Sequence, residues 1–448
     1  MNGGFSETRR QAVHISMGAF ALLLRWLPWW QAVALAAAAL AFNLLLLPRI
    51  AGERLYRPGD RERGVHGIVF YPIAVLMLLL AFPHRLDIVA AAWGILALGD
   101  GLATIGGRAI GGPRWPWNRE KTMAGTASFV VAGAAGGILL AWWCRAAVHP
   151  EPALAFTIVA PIAAALVAAA VETVPIRLDD NLSVAFAAGG TLWMASVIDA
   201  GAVASAGPHV IAQLPAAVAV NAVVAFAGQR ARTVSLSGAF GGAIIGTLIY
   251  ATTGWRGWLL LFVTFAAAAV TSRLGLRRKT LLGIAEERGG RRGAGNAIAN
   301  TGAAAVASML AVAGPSPDAA RLAFAAALVA GGSDTIASEI GKAWGRRTYA
   351  VTTWQRVAPG TSGAVSLEGT AAGIVGALAL ATVAAALGIV PGGATLFVIV
   401  VAATVGSLVE SWLGATLESP GILNNDSLNF VNTSIAALTA LAAHAWMS

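Results

Sequence analysis

An acid, several glycines and several basic residues follow one another at positions 99–126, in a chain in which only 11% of residues are charged. Asp100 ends an apolar run, a glycine-rich segment follows it, and Arg108, Arg119 and Lys121 come next. Carboxylates beside a phosphate site normally hold Mg²⁺, which bridges phosphate oxygens, while Arg and Lys neutralise the remaining oxygens. The segment therefore predicts a binding site for a phosphate-bearing ligand and Mg²⁺.

The same residue types recur further along the chain. Gly125-Thr126 and Gly360-Thr361 each follow a loop, and we expect a helix to begin at both pairs. The first turn of a helix presents unpaired N–H groups and a positive dipole end, which bind phosphate. The remaining acids that the pattern offers are Asp179 and Asp180 in the first half, and Asp334, Glu339, Glu410 and Asp426 in the second half.

Each of these features also has a purely structural interpretation. The glycines at 99–112 would allow helices to pack closely, and basic residues in a loop commonly set membrane topology or contact lipid headgroups. Residues 179–181 would serve as a helix cap, and His14 would serve as an interfacial residue. Glu172 abuts an apolar run, where a charge costs about 2.5–3.5 kcal/mol at the bilayer centre and needs a partner.

The composition indicates that membrane helices position these residues. Of the 448 residues 57% are hydrophobic, and the mean hydropathy is +0.72. About fifteen apolar runs, one of them at 184–206, approach the length of about 20 residues that a helix needs to cross a membrane. Such long runs span membranes only as helices. We therefore predict an all-α, polytopic integral membrane protein with about 14–15 transmembrane helices in two related halves.

The distribution of charge and the number of cysteines exclude further classes of protein and site. The net charge is +9, but the alternation of apolar runs places every strongly basic loop on one side of the membrane. By the positive-inside rule that side is cytoplasmic, so the charge predicts topology and no nucleic-acid partner. We expect the N-terminus and the active-site loops to face the cytoplasm, and the first apolar helix to remain uncleaved. The single cysteine, Cys144, excludes an internal disulfide and a cysteine metal cage.

The chain repeats a series of motifs in one order. The first half reads RRQAVHISMGA, GDGLATIGGR, KTMAGT and VETVPIRLDDNL. The second half reads RRGAGNAIANTGA, SDTIASEIGK, PGTSGAVS and VESWLGATLESPGILNNDSL. Four matches in the same order indicate two related units, which we place at residues 1–225 and 226–448.

Longer versions of these strings resemble two known families. Over residues 5–200 the chain resembles the phytol kinase and dolichol kinase group of membrane CTP-dependent polyprenol kinases, in RRQAVHISMG, GDGLATIGGRAIG, KTMAGT and VETVPIRLDDNL. Over residues 220–445 it resembles the family that includes phytyl-phosphate kinase, in RRGAGNAIANTG, GGSDTIASEIG, VAPGTSGAVSLEGT, GSLVESWLGATLE and NNDSLNFVNT. The resemblance implies that the first domain transfers the γ-phosphate of CTP to a membrane-dissolved prenyl alcohol. The second domain would phosphorylate the prenyl monophosphate to the diphosphate, and both reactions would use Mg²⁺.

The resemblance also implies roles for individual residues. The catalytic residues would be His14, Asp100, Lys121, Asp179, Asp180, Asp334, Glu339 and Asp426. The Mg²⁺ ligands would be Asp100, Glu172, Asp179, Asp180, Asp334, Glu410 and Asp426. Nucleotide or phosphate contacts would be Gly99, Gly101, Arg108, Arg119, Thr122, Gly125, Thr126 and Asn181 in the first site, and Gly360, Thr361, Ser362, Ser366, Asn425, Asn429 and Asn432 in the second. Asn300 would also belong to the second site, where Asn296 replaces an expected Gln and Glu410 an expected Asp.

Two other functions fit parts of the pattern. A secondary transporter also has two related halves, but it places polar residues near the bilayer midplane, whereas the acids and bases here concentrate on one side. A cytidylyltransferase that makes a CDP-lipid also needs CTP, Mg²⁺ and a lipid phosphate, and it releases pyrophosphate instead of CDP. The residues leave open the length of the prenyl chain and the oligomeric state.

Overall fold

A computed structural model describes residues 7–51, 67–174, 179–284, 292–418 and 423–447 of the chain. Helices form nearly all of its regular structure, beside two short β-hairpins. Parts of the predicted basic loops, at 52–66 and 285–291, lie outside these residues. The chain divides into two compact units, Met1–Val197 and Ile198–Ser448.

The first unit consists of nine α-helices, short 3₁₀ and π segments, and one hairpin in the part of the chain that the structure describes. These elements are α1 (Glu7–Met17), a 3₁₀ helix (Gly18–Arg25), α2 (Trp29–Leu45), α3 (Leu47–Ala51), α4 (Gly67–Ala81), α5 (Leu86–Gly94), a π-helix (Ile95–Asp100), α6 (Gly101–Ile110), β1 (Arg114–Trp115), β2 (Asn118–Thr122), α7 (Met123–Cys144), a 3₁₀ turn (Arg145–Ala147), α8 (Leu154–Thr173) and α9 (Asp180–Val197).

The continuous helix formed by α5, the π-helix and α6 contains the most buried part of the first unit. Ile88 and Leu96 are fully buried, and α7, α8 and α9 pack against this helix. Glycines permit the close approach, because a Cβ added at Gly94 would lie 2.6 Å from the carbonyl oxygen of Gly136. Small residues at helix contacts are typical of membrane proteins, in which backbone proximity and van der Waals contact hold helices together.

The second unit is arranged around α14. Residues 322–333 of this helix are buried without a gap, and α11, α13, α15, α16 and α17 pack against it. The elements are α10 (Ala200–Arg230), α11 (Leu236–Arg273), α12 (Leu276–Leu281), α13 (Ala294–Ala313), α14 (Pro317–Trp344), β3 (Thr348–Ala350), β4 (Ala364–Ser366), α15 (Leu367–Ala386), α16 (Ala394–Leu413), a second π-helix (Gly414–Glu418) and α17 (Asn425–Met447).

The boundary between the compact units precedes the domain boundary predicted at residues 225 and 226. The reason is α10, which contains residue 225 and packs in the second unit. The indole N–H of Trp258 on α11 donates a hydrogen bond to Oδ1 of Asn221 on α10 at 3.0 Å. The assignment of one function to each of the domains 1–225 and 226–448 stays a prediction.

The all-α, polytopic fold class is confirmed. Within the described residues, nine helices are long and apolar enough to cross a membrane by length and composition. This number is below the 14–15 predicted, partly because α11 joins two predicted runs across a break at Gly254, where φ is +72°. By contrast, the predicted run at 184–206 is divided between α9 and α10. The division occurs because Asp199 caps α10 by accepting a hydrogen bond from the N–H of Ala202 at 2.9 Å.

Both units contain the same helix–hairpin–helix arrangement. β1 pairs with β2 between α6 and α7, and β3 pairs with β4 between α14 and α15. Thr122 caps α7 and Ser366 caps α15, each by accepting a backbone N–H hydrogen bond at 3.1 Å. Gly341 of α14 packs closely against Gly369, as Gly107 of α6 packs against the first turn of α7. The repeat in the sequence is therefore also a repeat in structure.

The expectation that a helix begins at Gly360-Thr361 is wrong. This pair lies in a turn, with φ of +84° at Gly360, and the Thr361 hydroxyl donates to the carbonyl oxygen of Ala358 at 2.7 Å. Helix α15 begins later, at Leu367, because Ser366 supplies the cap. The first-half helix also begins slightly earlier than expected, at Met123.

Candidate active site

Three carboxylates of the first unit converge at one point. Asp100 ends the π-helix, Glu172 lies at the C-terminal end of α8, and Asp180 is the first residue of α9. One carboxylate oxygen of each residue lies within 4.8 Å of those of the other two. We call these three residues the acid cluster. These residues are far apart in sequence, and they come together because the ends of their helices meet.

Lys121 on β2 holds two members of the acid cluster. Its Nζ donates to Oε1 of Glu172 at 2.7 Å and to Oδ2 of Asp180 at 2.9 Å. The Glu172 side chain is only 4% exposed, whereas that of Asp180 is 47% exposed. Burial alone would lower the pKa of the Lys121 ammonium, but Asp180 and Glu172 together raise it above its ordinary value. Lys121 is therefore fully protonated at physiological pH.

His14 on α1 reaches the third acid. Its Nε2 lies 3.5 Å from Oδ2 of Asp100 and 3.2 Å from the carbonyl oxygen of Leu96, and its ring makes an edge contact with Tyr71 at 4.7 Å. Because both neighbours of Nε2 are acceptors, this nitrogen carries the hydrogen and donates it. In this tautomer His14 donates to Leu96, lies beside Asp100, and has no lone pair at Nε2 with which to accept a proton.

Asp179 and Asp180 have different surroundings although they are adjacent. Oδ1 of Asp179 accepts hydrogen bonds from the backbone N–H and the side-chain amide of Asn181, at 2.9 and 2.7 Å. Asp179 thus caps α9, which is the structural alternative for this segment, while Asp180 joins the acid cluster. Burial, together with the nearby Asp180 and Asp100, raises the pKa of Asp179 to about 6, although the hydrogen bonds from Asn181 oppose the change.

Two tryptophans attach the first hairpin to the helices beneath it. The indole N–H of Trp115 donates to the hydroxyl of Thr126 on α7 at 2.9 Å, and that of Trp117 lies 3.4 Å from the hydroxyl of Thr173 on α8. The two indole rings stack with a centroid distance of 4.8 Å. Since Lys121 lies on the same hairpin, these contacts fix the position of its ammonium group beside the acid cluster.

Among the predicted phosphate ligands of the first unit, some side chains are exposed and others are already packed or hydrogen-bonded. Arg108 and Arg119 are exposed, and no ion pair joins them to another residue in the described part of the chain. Gly99 and Gly101 are packing residues, since a Cβ on Gly101 would lie 2.4 Å from Ile15. At the start of α7 the Gly125 N–H already donates to Thr122 and the Thr126 hydroxyl already accepts from Trp115, so neither group is free for phosphate.

The second unit brings Asp334 and Glu410 together. Ser407 on α16 donates to Oδ1 of Asp334 on α14 at 2.8 Å. The Glu410 carboxylate lies beside that of Asp334 and beside Asn432, which is fully buried on α17. Two adjacent carboxylates repel each other unless a cation or a proton lies between them. This pair corresponds to Asp100 and Glu172 in the order of the repeat.

Glu339 belongs to a separate charged group. Its carboxylate accepts a short hydrogen bond from Nζ of Lys279 on α12 and lies 3.1 Å from Nζ of Lys342. Lys279 is 1% exposed and also donates to the carbonyl oxygen of Ser272 at 2.7 Å. Glu339 is thus neutralised by two lysines, which is the arrangement of a structural clamp between α12 and α14.

The remaining predicted residues of the second site lie on α17, in the turn before β4 and at the start of α15. Asn429 and Asn432 are buried on α17, whereas Asn425 is exposed at its start. Oδ2 of Asp426 lies 2.4 Å from the position of a Cβ added at Gly295 on α13. Of the predicted residues 360–366, Thr361 and Ser362 lie in the turn before β4, and Ser366 caps α15.

The acid cluster fits a divalent cation. Oxygens bound to one Mg²⁺ at about 2.1 Å each lie at most about 4.2 Å apart, and the three oxygens of the acid cluster, which lie within 4.8 Å of one another, need to move little to reach such an arrangement. A buried oxygen next to the cluster, Oδ1 of Asn181, has no hydrogen-bond partner in the part of the chain that the structure describes. Asp100, Glu172 and Asp180 are the residues that would hold the ion, and hard oxygen ligands are those that Mg²⁺ prefers.

Several residues of the sites were not predicted from the sequence. Ser407 precedes Glu410 by three residues on one helix, so helical spacing alone would have placed both on the same face. Trp117 lies in the loop between Arg108 and Lys121, where aromatic residues carry no periodic signal. Lys279 is part of a basic run, which we interpreted as a topology signal, and no sequence feature indicated that it is buried.

Comparisons with known proteins agree with a membrane location. The family model described as integral membrane protein DUF92 matches residues 219–437. An uncharacterised membrane protein of Synechocystis is 38% identical over 205 residues, which cover 45% of this chain and 79% of that protein. Protein VTE6 of Arabidopsis thaliana chloroplasts is 36% identical over 215 residues, 46% of this chain and 64% of VTE6. Phytol kinase 1 of Arabidopsis thaliana chloroplasts is 31% identical over 133 residues, 29% of this chain and 44% of the kinase. No solved structure matches the chain.

Proposed function

The chain belongs to the family of integral membrane proteins that the DUF92 model describes, and we propose that it is a membrane phosphotransferase acting on prenyl alcohols and prenyl monophosphates. The first unit phosphorylates the alcohol and the second converts the monophosphate to the diphosphate. The donor is a nucleoside triphosphate, CTP in preference to ATP, and the sites face the cytoplasm. The similarity to a protein named phytol kinase 1 supports the substrate class.

The observation that carries this proposal is the acid cluster with Lys121 beside it. Three carboxylates within 4.8 Å and one lysine at 2.7 Å provide the charges that a triphosphate and its Mg²⁺ require. Phosphoryl transfer needs positioning and charge neutralisation more than covalent chemistry by the protein. A site built from membrane helices also lies where the substrate is, because each buried CH₂ contributes about 0.8 kcal/mol to holding a prenyl chain in the bilayer.

The residues of the first unit have different roles in the proposed phosphorylation of the alcohol. The hydroxyl oxygen of the prenyl alcohol forms a bond to the γ-phosphorus as the bond from that phosphorus to the bridging oxygen breaks, and the nucleoside diphosphate leaves. Lys121 neutralises phosphate oxygens, and His14 lies beside Asp100. The hydroxyl proton passes to a carboxylate of the cluster, since Nε2 of His14 carries its own hydrogen. Mg²⁺, held by Asp100, Glu172 and Asp180, would neutralise charge on the phosphates.

The second unit has the same order of parts. Asp334 and Glu410 take the places of Asp100 and Glu172, with Ser407 donating to Asp334 at 2.8 Å. A prenyl monophosphate supplies a phosphate oxygen as the nucleophile, so no hydroxyl proton need be removed. We therefore assign the role of holding Mg²⁺ to Asp334 and Glu410, and a structural role to Glu339.

Product analysis tests the proposal. Purified protein receives a prenyl alcohol and Mg²⁺ with CTP or ATP in parallel, and mass spectrometry identifies the products. Prenyl mono- and diphosphate with release of CDP supports two kinases. A CDP-lipid with pyrophosphate would instead identify a cytidylyltransferase. The matched control is Glu151→Gln, which removes an ion pair with Arg145 before the start of α8, at the opposite end of that helix from Glu172, and retains both activities.

A further inference from the structure

The second unit contains a cavity between α10, α11, α13 and α14 whose two sides differ in chemistry. Val224 on α10 and Phe262 and Phe265 on α11 contribute an apolar side. Arg292, Asn296 and Asn300, at the start of α13 and along it, contribute a polar side. Helical geometry places residues four apart on one face, so the two asparagines form a stripe along α13. A cavity with one apolar and one polar side fits an amphiphile.

The polar side ends near the acids of the second unit. The carbonyl and side-chain oxygens of Asn300 are the nearest neighbours of Gly331 on α14, each 3.1 Å from the position of an added Cβ. Asp334 follows Gly331 by three residues and lies on the same side of α14. A ligand headgroup at the Asn300 end of the cavity would therefore lie one helical turn from Asp334.

The charge of the polar side selects an anionic headgroup. Arg292 carries a positive charge at the cavity, with its guanidinium carbon 5.8 Å from the centre of the Phe265 ring. The Asn296 amide has no hydrogen bond to another residue within the part of the chain that the structure describes. Polar groups that face a cavity at membrane depth are costly without a ligand or partner. Arginine and amide N–H groups together suit phosphate oxygens.

We propose that this cavity binds the prenyl monophosphate that the second unit phosphorylates, with the prenyl chain along α10 and α11 and the phosphate along the α13 stripe. The assignment rests on the proposed function for its choice of ligand. It defines the substrate subsite of the second reaction, and it places Asn296 beside the phosphate already present on the substrate, with the positive charge of Arg292 at the entrance of the cavity.

A photo-crosslinking experiment tests the cavity in the full chain without any nucleotide. The probe is a diterpenyl monophosphate with a diazirine at the far end of the chain, and the labelled peptides are identified by mass spectrometry. We expect label on α10 and α11, and competition by unlabelled diterpenyl monophosphate but not by phosphatidic acid. Label on other helices, or equal competition by phosphatidic acid, would overturn the proposal.

A matched pair of glycine substitutions strengthens the test. Gly242 lines the cavity and Gly190 lies on α9 of the first unit, and an added Cβ meets no atom within 4 Å at either position. Gly242→Leu should lower labelling by about tenfold, equivalent to about 1.4 kcal/mol, while Gly190→Leu leaves it unchanged. Ala225→Leu, which fills the cavity from α10, should act like Gly242→Leu. Elution volume and melting temperature of the full chain close to those of the wild type show that Gly242→Leu and Ala225→Leu fold, and unchanged labelling in both of these variants would overturn the proposal.

The two proposals fail in different ways. If the wild-type protein makes no prenyl diphosphate but labels α10 and α11 with the expected competition, the cavity assignment stands and the proposed reaction does not. If it makes prenyl diphosphate while the label falls on other helices, the reaction stands and the cavity assignment does not.

Discussion

Replacing Lys121 by methionine removes the cation that joins two members of the acid cluster. The pair with Asp180 involves a carboxylate that is 47% exposed, so solvent screens it and it contributes about 1 kcal/mol at most. The pair with Glu172 involves a carboxylate that is 4% exposed. Leaving a buried charge without its partner costs about 3–5 kcal/mol. The loss of Lys121 therefore acts mainly through Glu172.

The loss of this cation also affects the first reaction. Removal of one group that neutralises charge in a transition state typically lowers kcat by about 10²–10³-fold. We expect Lys121→Met to lower monophosphate formation from the alcohol by about 10²–10³-fold. Lys121→Arg keeps the charge and should retain more activity, although its fork-shaped donor group does not match the lysine geometry.

Initial rates for the two reactions, measured separately, check this prediction. Each variant receives the prenyl alcohol in one assay and the prenyl monophosphate in another. Lys121→Met should leave diphosphate formation from the monophosphate within about twofold of wild type, because Lys121 lies in the first unit. An equal loss of both reactions would refute the reasoning, as would an unchanged first reaction.

Further predictions concern stability. Burial raises the pKa of Asp179 from 3.8 to about 6, so folding is most favourable at a pH low enough for this carboxyl to be protonated in both the folded and the unfolded state. The melting temperature should therefore fall as the pH rises from about 4 to 6. Asp179→Asn should remove this part of the dependence of melting temperature on pH. A slope unchanged by the substitution would contradict the assignment. Lys279→Met breaks a buried pair with Glu339 and should lower the free energy of unfolding by about 3–5 kcal/mol, at the low end because Lys342 remains; a loss below about 1 kcal/mol would show that the clamp is dispensable. Gly363→Ala places a Cβ 2.3 Å from the carbonyl oxygen of Ser411 at φ +68°, so it should lower the melting temperature and diphosphate formation together, and a wild-type melting curve would contradict this.

Most of the fold was predictable from the sequence. Long apolar runs define membrane helices because no other structure satisfies the backbone in a bilayer. Helix ends were less predictable, because they depend on single capping residues such as Asp199, Thr122 and Ser366. The hairpins were not predicted, since strands of two to five residues have no detectable periodicity.

The acids of the candidate sites could be predicted from the sequence, whereas their hydrogen-bond and ion-pair partners could not. Asp100, Glu172 and Asp180 were all expected, but the sequence could not separate Asp180 from Asp179, because both flank the same helix start. The expectation for Lys121 was a phosphate contact, and the structure adds its ion pairs with two acids. Such partners depend on which helix ends meet, and that is decided by packing over the whole unit.

The claim that two separate sites perform the two reactions is tested most directly by a reciprocal pair of variants. Asp100→Asn and Asp334→Asn each receive the prenyl alcohol with CTP and Mg²⁺, and mass spectrometry follows both products. Asp334→Asn should accumulate the monophosphate without diphosphate. Asp100→Asn should form neither product from the alcohol but should convert added monophosphate to diphosphate. Loss of both reactions in both variants would contradict the account and indicate one composite site.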